Sequence, residues 1–287
     1  MKIEIIKCLQ DNYSYLLIDK INNSACVIDP SESEPIIDYV EKNKINLKFI
    51  LNTHHHFDHI GGNKDLKKKY NSACVVDPSE AEPIIDYIEK NKINLKFILN
   101  THHHFDHIGG NKNLKKKYKS KVIGFEKDKD RIPGIDVCLN DRQIWKSENF
   151  EAKIYHIPGH TLGHVCYHFF KQNILFTGDT LFSLGCGRIF EGTYNQMFSS
   201  LQLIKSFPLK TKIYCGHEYT LKNSEFCINH DKKNSALIKK IELIKKSINI
   251  GLPSIPSTIK EELECNIFLR AKDVKTFSKL RVLKDKF

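Results

Sequence analysis

The feature that most constrains the fold of this chain is an internal repeat. Residues 71–118 repeat residues 23–70 with four differences, Ile28/Val76, Ser33/Ala81, Val40/Ile88 and Asp65/Asn113. Two near-identical copies do not make a solenoid, because solenoid repeats diverge and come in sets of three or more. Either a tandem duplication within the gene or an error in its assembly would produce the pattern. A fold that needs one copy uses 239 of the 287 residues (287 − 48).

Each copy has the pattern strand, helix, strand, motif loop, helix. In the second copy SACVVDP is a short apolar strand, Pro83 marks a helix start, and LKFILN is a strand that ends at THHHFDHIGG. Residues 2–19 predict two strands around a turn at Asp11 and Asn12, and a helix is expected near 195–207. Further strands are predicted at KVIGF, AKIYHI, VCYHFF, NILFTGD and KIYCGH. This mixture predicts an α/β layered domain.

The C-terminal part has a different pattern. From Tyr219 onward no convincing strand is visible, whereas residues 235–250 carry apolar residues at helical spacing. Thr258 and Glu261 form a capping-box pattern, which predicts the start of another helix. We therefore expect a mixed domain at 1–217, which contains the copies 23–70 and 71–118, and a small all-helical domain at 218–287.

Composition restricts the environment and the partners. No run approaches the roughly 18 apolar residues of a membrane span, and the N-terminus lacks the apolar core of a secretory signal. The nine cysteines are scattered without a C-x-x-C pair, which favours a reducing cytoplasm. The net charge is +11, but only five of the 45 basic residues are arginine, the residue on which nucleic-acid recognition usually depends. We expect neither a membrane nor a nucleic-acid partner.

Histidines indicate a metal site. There are 14, and in T-H-H-H-F-D-H alternate side chains of an extended segment project to one side. Three further candidates follow apolar strands, in PGHTLGH, FTGD and YCGH. Imidazoles and carboxylates without thiolates suit zinc, iron or manganese, and seven ligands exceed the needs of one tetrahedral zinc. We therefore predict two divalent metal ions, with zinc as the first choice, held by His102, His104, Asp106, His107, His160, Asp179 and His217.

The first copy contains the same motif at His54, His56, Asp58 and His59. A surplus copy can be looped out at a surface connection at little cost in closure entropy. Three plausible points, near Asn22, after Pro30 and around 42–46, leave the second copy as the ligand donor. A crossover within 62–72 would select the first copy instead. We favour the second copy.

The motifs THHHFDH, PGHTLGH, FTGDTLF, GCGRIFEGT and YCGHEYT, in this order, resemble the metallo-β-lactamase superfamily. Within it, the C-terminal PSTIKEELECNIFLR resembles the glutathione-binding domain of the glyoxalase II (hydroxyacylglutathione hydrolase) family. The resemblance covers the chain apart from one repeat copy. It implies a four-layer αββα sandwich followed by a small helical domain.

The resemblance also implies roles for individual residues. One metal would be bound by His102, His104 and His160, the other by Asp106, His107 and His217, with Asp179 shared. Ile267 replaces the proline of the family's N-P-F motif, which puts the local turn in doubt. Some members have tyrosine where Phe190 stands. The positions that match substrate-binding residues are Arg188, Phe190, Tyr219, Arg281 and Lys284.

The activity implied is thioester hydrolysis of S-(2-hydroxyacyl)glutathione, typically S-D-lactoylglutathione, by a metal-bridging hydroxide that Asp106 orients. The products would be glutathione and a 2-hydroxy acid, as in methylglyoxal detoxification, and we expect a monomer that binds this small molecule. Two alternatives stay open. A persulfide dioxygenase of the superfamily would use one iron and fewer ligands, and a metallo-nuclease would exploit the charge of +11.

Overall fold

The computed structural model describes residues 2–9, 12–19, 21, 23–43, 45–51, 61–63, 65–66, 73–91, 93–147 and 150–287. The chain forms two compact units. One consists of Met1–Cys74 and Glu82–Lys96, and the other of Val75–Ala81 and Phe97–Phe287. The division between the units therefore passes through the second copy of the repeat.

The first unit is built on a four-stranded sheet. The predicted hairpin forms as β1 (Lys2–Cys8) and β2 (Asn12–Asp19), and the first copy adds β3 (Ser24–Ile28) and β4 (Asn46–Leu51) in the order β1-β2-β3-β4. β2 is antiparallel to β1 and β3, whereas β4 runs parallel to β3. The parallel pair is connected by α1 (Glu34–Lys42), which has a proline in its first turn and buries two apolar residues one turn apart.

The second copy folds like the first. It forms β5 (Ala73–Val76), α2 (Glu82–Lys90) and β6 (Leu95–Leu99) at the corresponding positions. The backbone N–H of Asp29 donates to Leu51 O at 2.8 Å, and that of Asp77 donates to Leu99 O at 2.9 Å. The expectation that a surplus copy is looped out is therefore wrong. The first copy folds because all five residues of β3 pair with β2, at Tyr15–Asp19, which provides backbone hydrogen-bond partners along that edge of β3.

The second unit contains two facing sheets. One has the order β5-β6-β7-β8, and the other is six-stranded with the order β16-β15-β12-β11-β10-β9. The rings of Phe97 and Trp145 meet between them with centroids 5.1 Å apart. The remaining strands are β7 (Lys121–Phe125), β8 (Ile135–Leu139), β9 (Ile144–Lys146), β10 (Glu151–His156), β11 (Val165–Phe169), β12 (Ile174–Gly178), β13 (Leu181–Phe182), β14 (Gly185–Cys186), β15 (Lys212–Cys215) and β16 (Ser257–Thr258).

Helices cover the two sheets. The helix α4 packs against β7, while apolar residues of α5 share a buried cluster with Leu175 of β12 and Ile213 of β15. This gives the helix–sheet–sheet–helix layers of the metallo-β-lactamase fold, as the motifs predicted. The helices of this unit are α3 (Phe105–Ile108), α4 (Asn111–Tyr118), α5 (Tyr194–Lys205), α6 (Thr220–His230), α7 (Ser235–Asn249), α8 (Ile259–Cys265) and α9 (Val274–Asp285).

The C-terminal helices share the core of this unit. Phe226 and Phe268 belong to the same buried cluster as Leu201 and Ile213. The helix predicted over 235–250 is confirmed as α7, and the capping box at Thr258 starts α8. The two-residue β16 was not predicted, because so short a strand has no periodicity to detect. In the described part of the chain, no helix is long and apolar enough to span a membrane.

Candidate metal centre and substrate cleft

Three histidines from two loops form the first group of candidate ligands. His102 and His104 follow β6, and His160 lies in the loop after β10. One ring nitrogen of each lies within 4.8 Å of the others, and His104 Nδ1 is 3.0 Å from His160 Nε2. Nitrogens bound to one tetrahedral zinc at about 2.0–2.1 Å lie about 3.3 Å apart. The group therefore has the spacing of a metal site.

Hydrogen bonds orient these imidazoles. His160 Nδ1 donates to the carbonyl oxygen of Arg188 at 2.7 Å, which leaves Nε2 directed at the group. His102 Nδ1 donates to Thr101 Oγ1 at 3.0 Å, and its buried Nε2 has no hydrogen-bond partner among the described residues. A buried nitrogen lone pair without a partner is costly unless a cation takes it. The donor set therefore fits a metal ion.

The second group comes from α3, which contains the end of the motif, and from the loop after β15. Asp106, His107 and His217 lie within 4.8 Å of one another, and the Nε2 atoms of the two histidines are 3.3 Å apart. Asp179 reaches both groups, because its Oδ2 is 3.6 Å from His160 Nε2 and 3.3 Å from His217 Nε2. This is the placement expected of a bridging carboxylate.

Close backbone packing holds the motif in place. The N–H of Gly110 donates to Pro78 O at 2.8 Å, and a Cβ at Gly109 would lie 2.2 Å from Ser79 O. Only glycine allows this approach. As a result α3 begins at Phe105, directly after the extended His104, and His107 lies in its last turn.

Asp77 contacts the candidate ligand His107, and the sequence motifs missed it. Its Oδ1 accepts from the N–H of Thr101 at 2.7 Å, and its Oδ2 accepts from Thr101 Oγ1 at 2.6 Å. Oδ2 also lies 3.2 Å from His107 Nδ1, so it directs His107 Nε2 at the second group. The available signal was its position at the end of the apolar strand SACVVDP, the same kind of position that identified Asp179.

Burial and charge set the protonation of the first group. Burial lowers the pKa of His102, His104 and His160, which favours neutral imidazole. Neutral imidazole is the form that binds a metal ion. These three histidines are therefore held ready for coordination.

The second group is more strongly influenced by carboxylates. Burial opposes protonation of His107, but the hydrogen bond and charge of Asp77, with the charges of Asp179 and Asp106, raise its pKa to about 9. The hydrogen bond to Asp179 raises the pKa of His217. Although burial favours its neutral form, Asp179 has a lowered pKa because of His217 and the neighbouring imidazoles. Negative charge is thus concentrated where a cation would bind, and a metal ion would replace the protons on these imidazoles.

A cleft of about 440 Å³ has His160 of the first group and Asp179 in its lining. It contains all five positions that the resemblance assigned to substrate binding. Lys222 and Asp285 were not predicted, because no motif marks them. The lining consists of His160, Asp179, Phe182, Cys186, Arg188, Phe190, Tyr219, Lys222, Asn223, Arg281, Lys284, Asp285 and Phe287.

Aromatic side chains line the cleft next to the candidate ligands. Tyr219 stacks on His217 with ring centroids 4.9 Å apart. Phe190 is 62% exposed and its ring centroid lies 5.2 Å from that of His160. Both rings therefore offer an apolar surface beside the metal groups.

The cationic side chains of the cleft differ in their exposure and in the contacts that they make within the chain. Arg188 is exposed and its Nε donates to Asp285 Oδ1 at 3.2 Å. Lys284 lies over the rings of Phe226 and Phe287, and burial lowers its pKa. Arg281 is only 5% exposed, and its guanidinium donates to Cys186 O at 2.7 Å and to Asp285 Oδ1 at 3.0 Å. Arg281 is therefore committed to contacts within the chain.

The motif of the first copy, at His54, His56, Asp58 and His59, lies outside the described residues. The two groups described above belong to the second copy, His160, Asp179 and His217 apart. The turn at Ile267 forms without proline, because Asn266 Oδ1 accepts from the N–H of Phe268 at 3.0 Å.

Family models match nearly the whole chain. The model of the metallo-beta-lactamase superfamily matches residues 10–87 and again 71–217. The model of the hydroxyacylglutathione hydrolase C-terminus matches residues 218–287. The first match contains the first copy and the beginning of the second, and the second match contains the whole second copy.

Similar proteins support the same assignment. A hydroxyacylglutathione hydrolase of Pelagibacter ubique (strain HTCC1062) is 54% identical over 287 residues, covering all of both chains. One from Prochlorococcus marinus (strain MIT 9301) is 46% identical, covering 98% of this chain and 94% of the relative. The structure of ETHE1 from Myxococcus xanthus shares the fold, with a TM-score of 0.53 and 19% identity over 98% of this chain and 90% of that one. The chain therefore belongs to the hydroxyacylglutathione hydrolase family of the metallo-β-lactamase superfamily.

Proposed function

We propose that this chain hydrolyses the thioester of S-(2-hydroxyacyl)glutathione, typically S-D-lactoylglutathione, to glutathione and a 2-hydroxy acid. The observation that carries the proposal is a cleft whose lining combines the candidate metal ligands His160 and Asp179 with lysine and arginine side chains. The reaction would serve methylglyoxal detoxification in the cytoplasm. The chain acts as a monomer on a small molecule.

Each of the two groups of candidate ligands would hold one metal ion. One ion would be held by His102, His104 and His160, and the other by Asp106, His107 and His217, with Asp179 as a candidate ligand of both. Zinc is the first choice, and iron or manganese would suit the same nitrogen and oxygen donors. Two bound ions would lower the pKa of a water molecule towards neutrality and stabilise negative charge on the thioester carbonyl oxygen.

The side chains of the chain bind and orient the reactants. Asp106 is exposed, and its carboxylate can accept a hydrogen bond from the attacking water and so direct the oxygen at the carbonyl carbon. Arg188 and Lys284 supply positive charge for the carboxylates of glutathione, with Phe190 and Tyr219 beside the thioester. Arg281 supports the wall of the cleft through its bonds to Cys186 O and Asp285 Oδ1. When the C–S bond breaks, glutathione leaves as a thiolate, which needs little help from a general acid.

The two parts of the chain have different roles, hydrolysis and binding of the glutathione conjugate. Residues 1–217 form the hydrolase part, in which the second copy of the repeat donates ligands, and residues 218–287 form the part that binds the glutathione conjugate. The persulfide dioxygenase and nuclease alternatives are not favoured, because the last 70 residues match the C-terminus of hydroxyacylglutathione hydrolases.

The test is the variant His160→Ala. Removal of one imidazole from the first group should lower thioesterase activity on S-D-lactoylglutathione by on the order of 100-fold or more and reduce the metal content. Metal analysis and a thioester assay measure both effects. The control is His230→Ala, whose Nδ1 donates to Phe226 O at the end of α6 and which should keep both properties. A His160→Ala protein with full thioesterase activity would contradict the proposal.

A further inference from the structure

Residues 183–186, called here the 183–186 turn, comprise the turn after β13 and the two residues of β14, and they are held by side chains of the C-terminal helices. These side chains come from α6, α8, α9 and the residue after α8, and each bonds to the backbone of the turn. The contacts are Asn223 Nδ2 to Ser183 O (3.1 Å), Cys227 Sγ to Leu184 O (3.1 Å), Leu184 N to Glu262 Oε2 (2.9 Å), Asn266 Nδ2 to Gly185 O (3.0 Å) and Arg281 Nη1 to Cys186 O (2.7 Å).

The turn needs this support. Leu184 has a φ of 58°, in the left-handed region that a branched residue such as leucine rarely adopts. A Cβ at Gly185 would lie 2.4 Å from Asn223 Nδ2, so the helices approach the backbone closely. Such conformations persist only where the surroundings hold them.

The turn leads directly to the first metal-binding group. Two residues after Cys186, the carbonyl oxygen of Arg188 accepts the hydrogen bond that orients His160. Gly187, in between, packs so closely on Asp179 that a Cβ there would lie 1.8 Å from Asp179 O. A shift of the 183–186 turn would therefore move the acceptor of His160 and press on the backbone of Asp179.

Glu262 is the most unusual member of this set. It is fully buried, and one oxygen, Oε2, accepts from both the N–H of Leu184 and Asn266 Nδ2, each at 2.9 Å. Burial raises the pKa of its carboxyl group. Burial of a carboxyl group costs free energy of desolvation, and an apolar side chain of similar volume often stabilises a core equally well or better. Its presence is better explained by the geometry that it imposes on the turn.

We propose that Glu262 and Asn266 are positioning residues of the hydrolase: they fix the 183–186 turn and, through the carbonyl oxygen of Arg188, the orientation of His160. The expected effect on kcat rests on the proposed function, whereas the expected effect on zinc affinity does not. The C-terminal helices then have a second role besides binding the glutathione conjugate, because they set the geometry of a metal ligand.

The experiment compares Glu262→Ala, Glu262→Gln and the neighbouring Glu261→Ala in the full-length protein. Glu261 pairs with Lys240 at 2.9 Å and caps α8, but the contacts of the turn do not include it. Glu261→Ala thus destabilises the same helix without releasing the turn. Zinc affinity is measured by competition with a chromophoric chelator, thermal unfolding by calorimetry, and kcat on S-D-lactoylglutathione by a thioester assay.

Glu262→Ala should weaken zinc binding and lower kcat about 10–100-fold, as the loss of a group that orients a metal ligand does. Glu262→Gln keeps an acceptor for Leu184 N and should stay within about threefold of the parent protein in both properties. Glu261→Ala should lower the unfolding temperature and leave zinc affinity and kcat unchanged.

The inference is overturned if Glu262→Ala lowers only the unfolding temperature, or if Glu262→Gln fails to restore zinc affinity. If Glu262→Ala does not fold, the shorter Glu262→Asp decides, because it keeps the carboxyl group but withdraws it from Leu184 N. It should lose zinc affinity while folding like Glu261→Ala. Zinc binding that depends on Glu262 in a protein without thioesterase activity would refute the proposed function and leave the positioning role intact.

Discussion

Asp77 shows how much one residue outside the motifs contributes to the site. Its carboxylate connects the N–H and hydroxyl of Thr101 to the imidazole of His107, and Thr101 in turn holds His102. A single carboxylate therefore influences a ligand of each group. The repeat supplies its natural counterpart, because Asp29 occupies the corresponding position in the first copy and has nearly the same φ, 49° against 50°.

We predict that Asp77→Asn weakens zinc binding about 10–100-fold, because the amide presents an N–H where His107 Nδ1 needs an acceptor. Asp29→Asn is the matched control and should leave zinc affinity unchanged. Chelator competition on the two variants measures the difference. An equal loss in both, or a loss in Asp29→Asn alone, would show that the second copy is not the sole ligand donor.

At the scale of elements, short polar signals define where helices begin. Thr258 and Glu261 form a reciprocal capping box at the start of α8, in which Thr258 Oγ1 accepts from Glu261 N at 3.2 Å and Glu261 Oε2 accepts from Thr258 N at 2.8 Å. The sequence predicted this start because the pattern is local, with its partners three residues apart. The same helix carries Glu262, whose hydrogen bond to Leu184 N does not involve the cap.

Thr258→Ala should therefore lower the free energy of unfolding by about 1 kcal/mol. Thr276→Ala, within the exposed first turn of α9, is the control and should change stability by less than about 0.5 kcal/mol. Denaturant unfolding followed by circular dichroism gives both values. A loss in Thr258→Ala no larger than in the control would show that the capping box contributes nothing to stability.

At the scale of the whole molecule, the repeat is the dominant feature. Both copies fold into the same strand–helix–strand unit, and the residues of β3 that pair with β2 differ from their counterparts in the second copy only at Ile28/Val76. Likewise Phe97, Ile98 and Leu99, which pair with β7, have identical counterparts in the first copy. One copy therefore has every residue needed to pair with both β2 and β7.

We predict that deletion of residues 23–70 or of residues 71–118 leaves an active thioesterase. Each product has 239 residues (287 − 48), and the two differ only at the four substituted positions. Both should bind the same number of zinc ions per chain as the full-length protein, because either copy then supplies the motif. Deletion of 23–118 is the control and should abolish zinc binding and activity. Two inactive single-copy proteins would show that the fold requires both copies.

Much of the fold and the candidate site followed from local sequence. The hairpin β1–β2, helix α7 and the cap of α8 were predicted because their signals are periodicities or pairs within one turn. The seven ligand candidates were identifiable because each lies in a short motif next to an apolar strand. These predictions need no knowledge of which strands pair.

Only the tertiary structure decided the partners of those residues. The bond from Asp77 to Thr101 spans 24 positions, that from Leu184 to Glu262 spans 78, and that from Arg281 to Cys186 spans 95. The sequence by itself determined the chemistry of the ligands and the identity of the repeated unit. It could not determine which copy pairs with β2, because two copies offer β2 nearly the same strand edge, and pairing depends on the edge that the folded chain brings there.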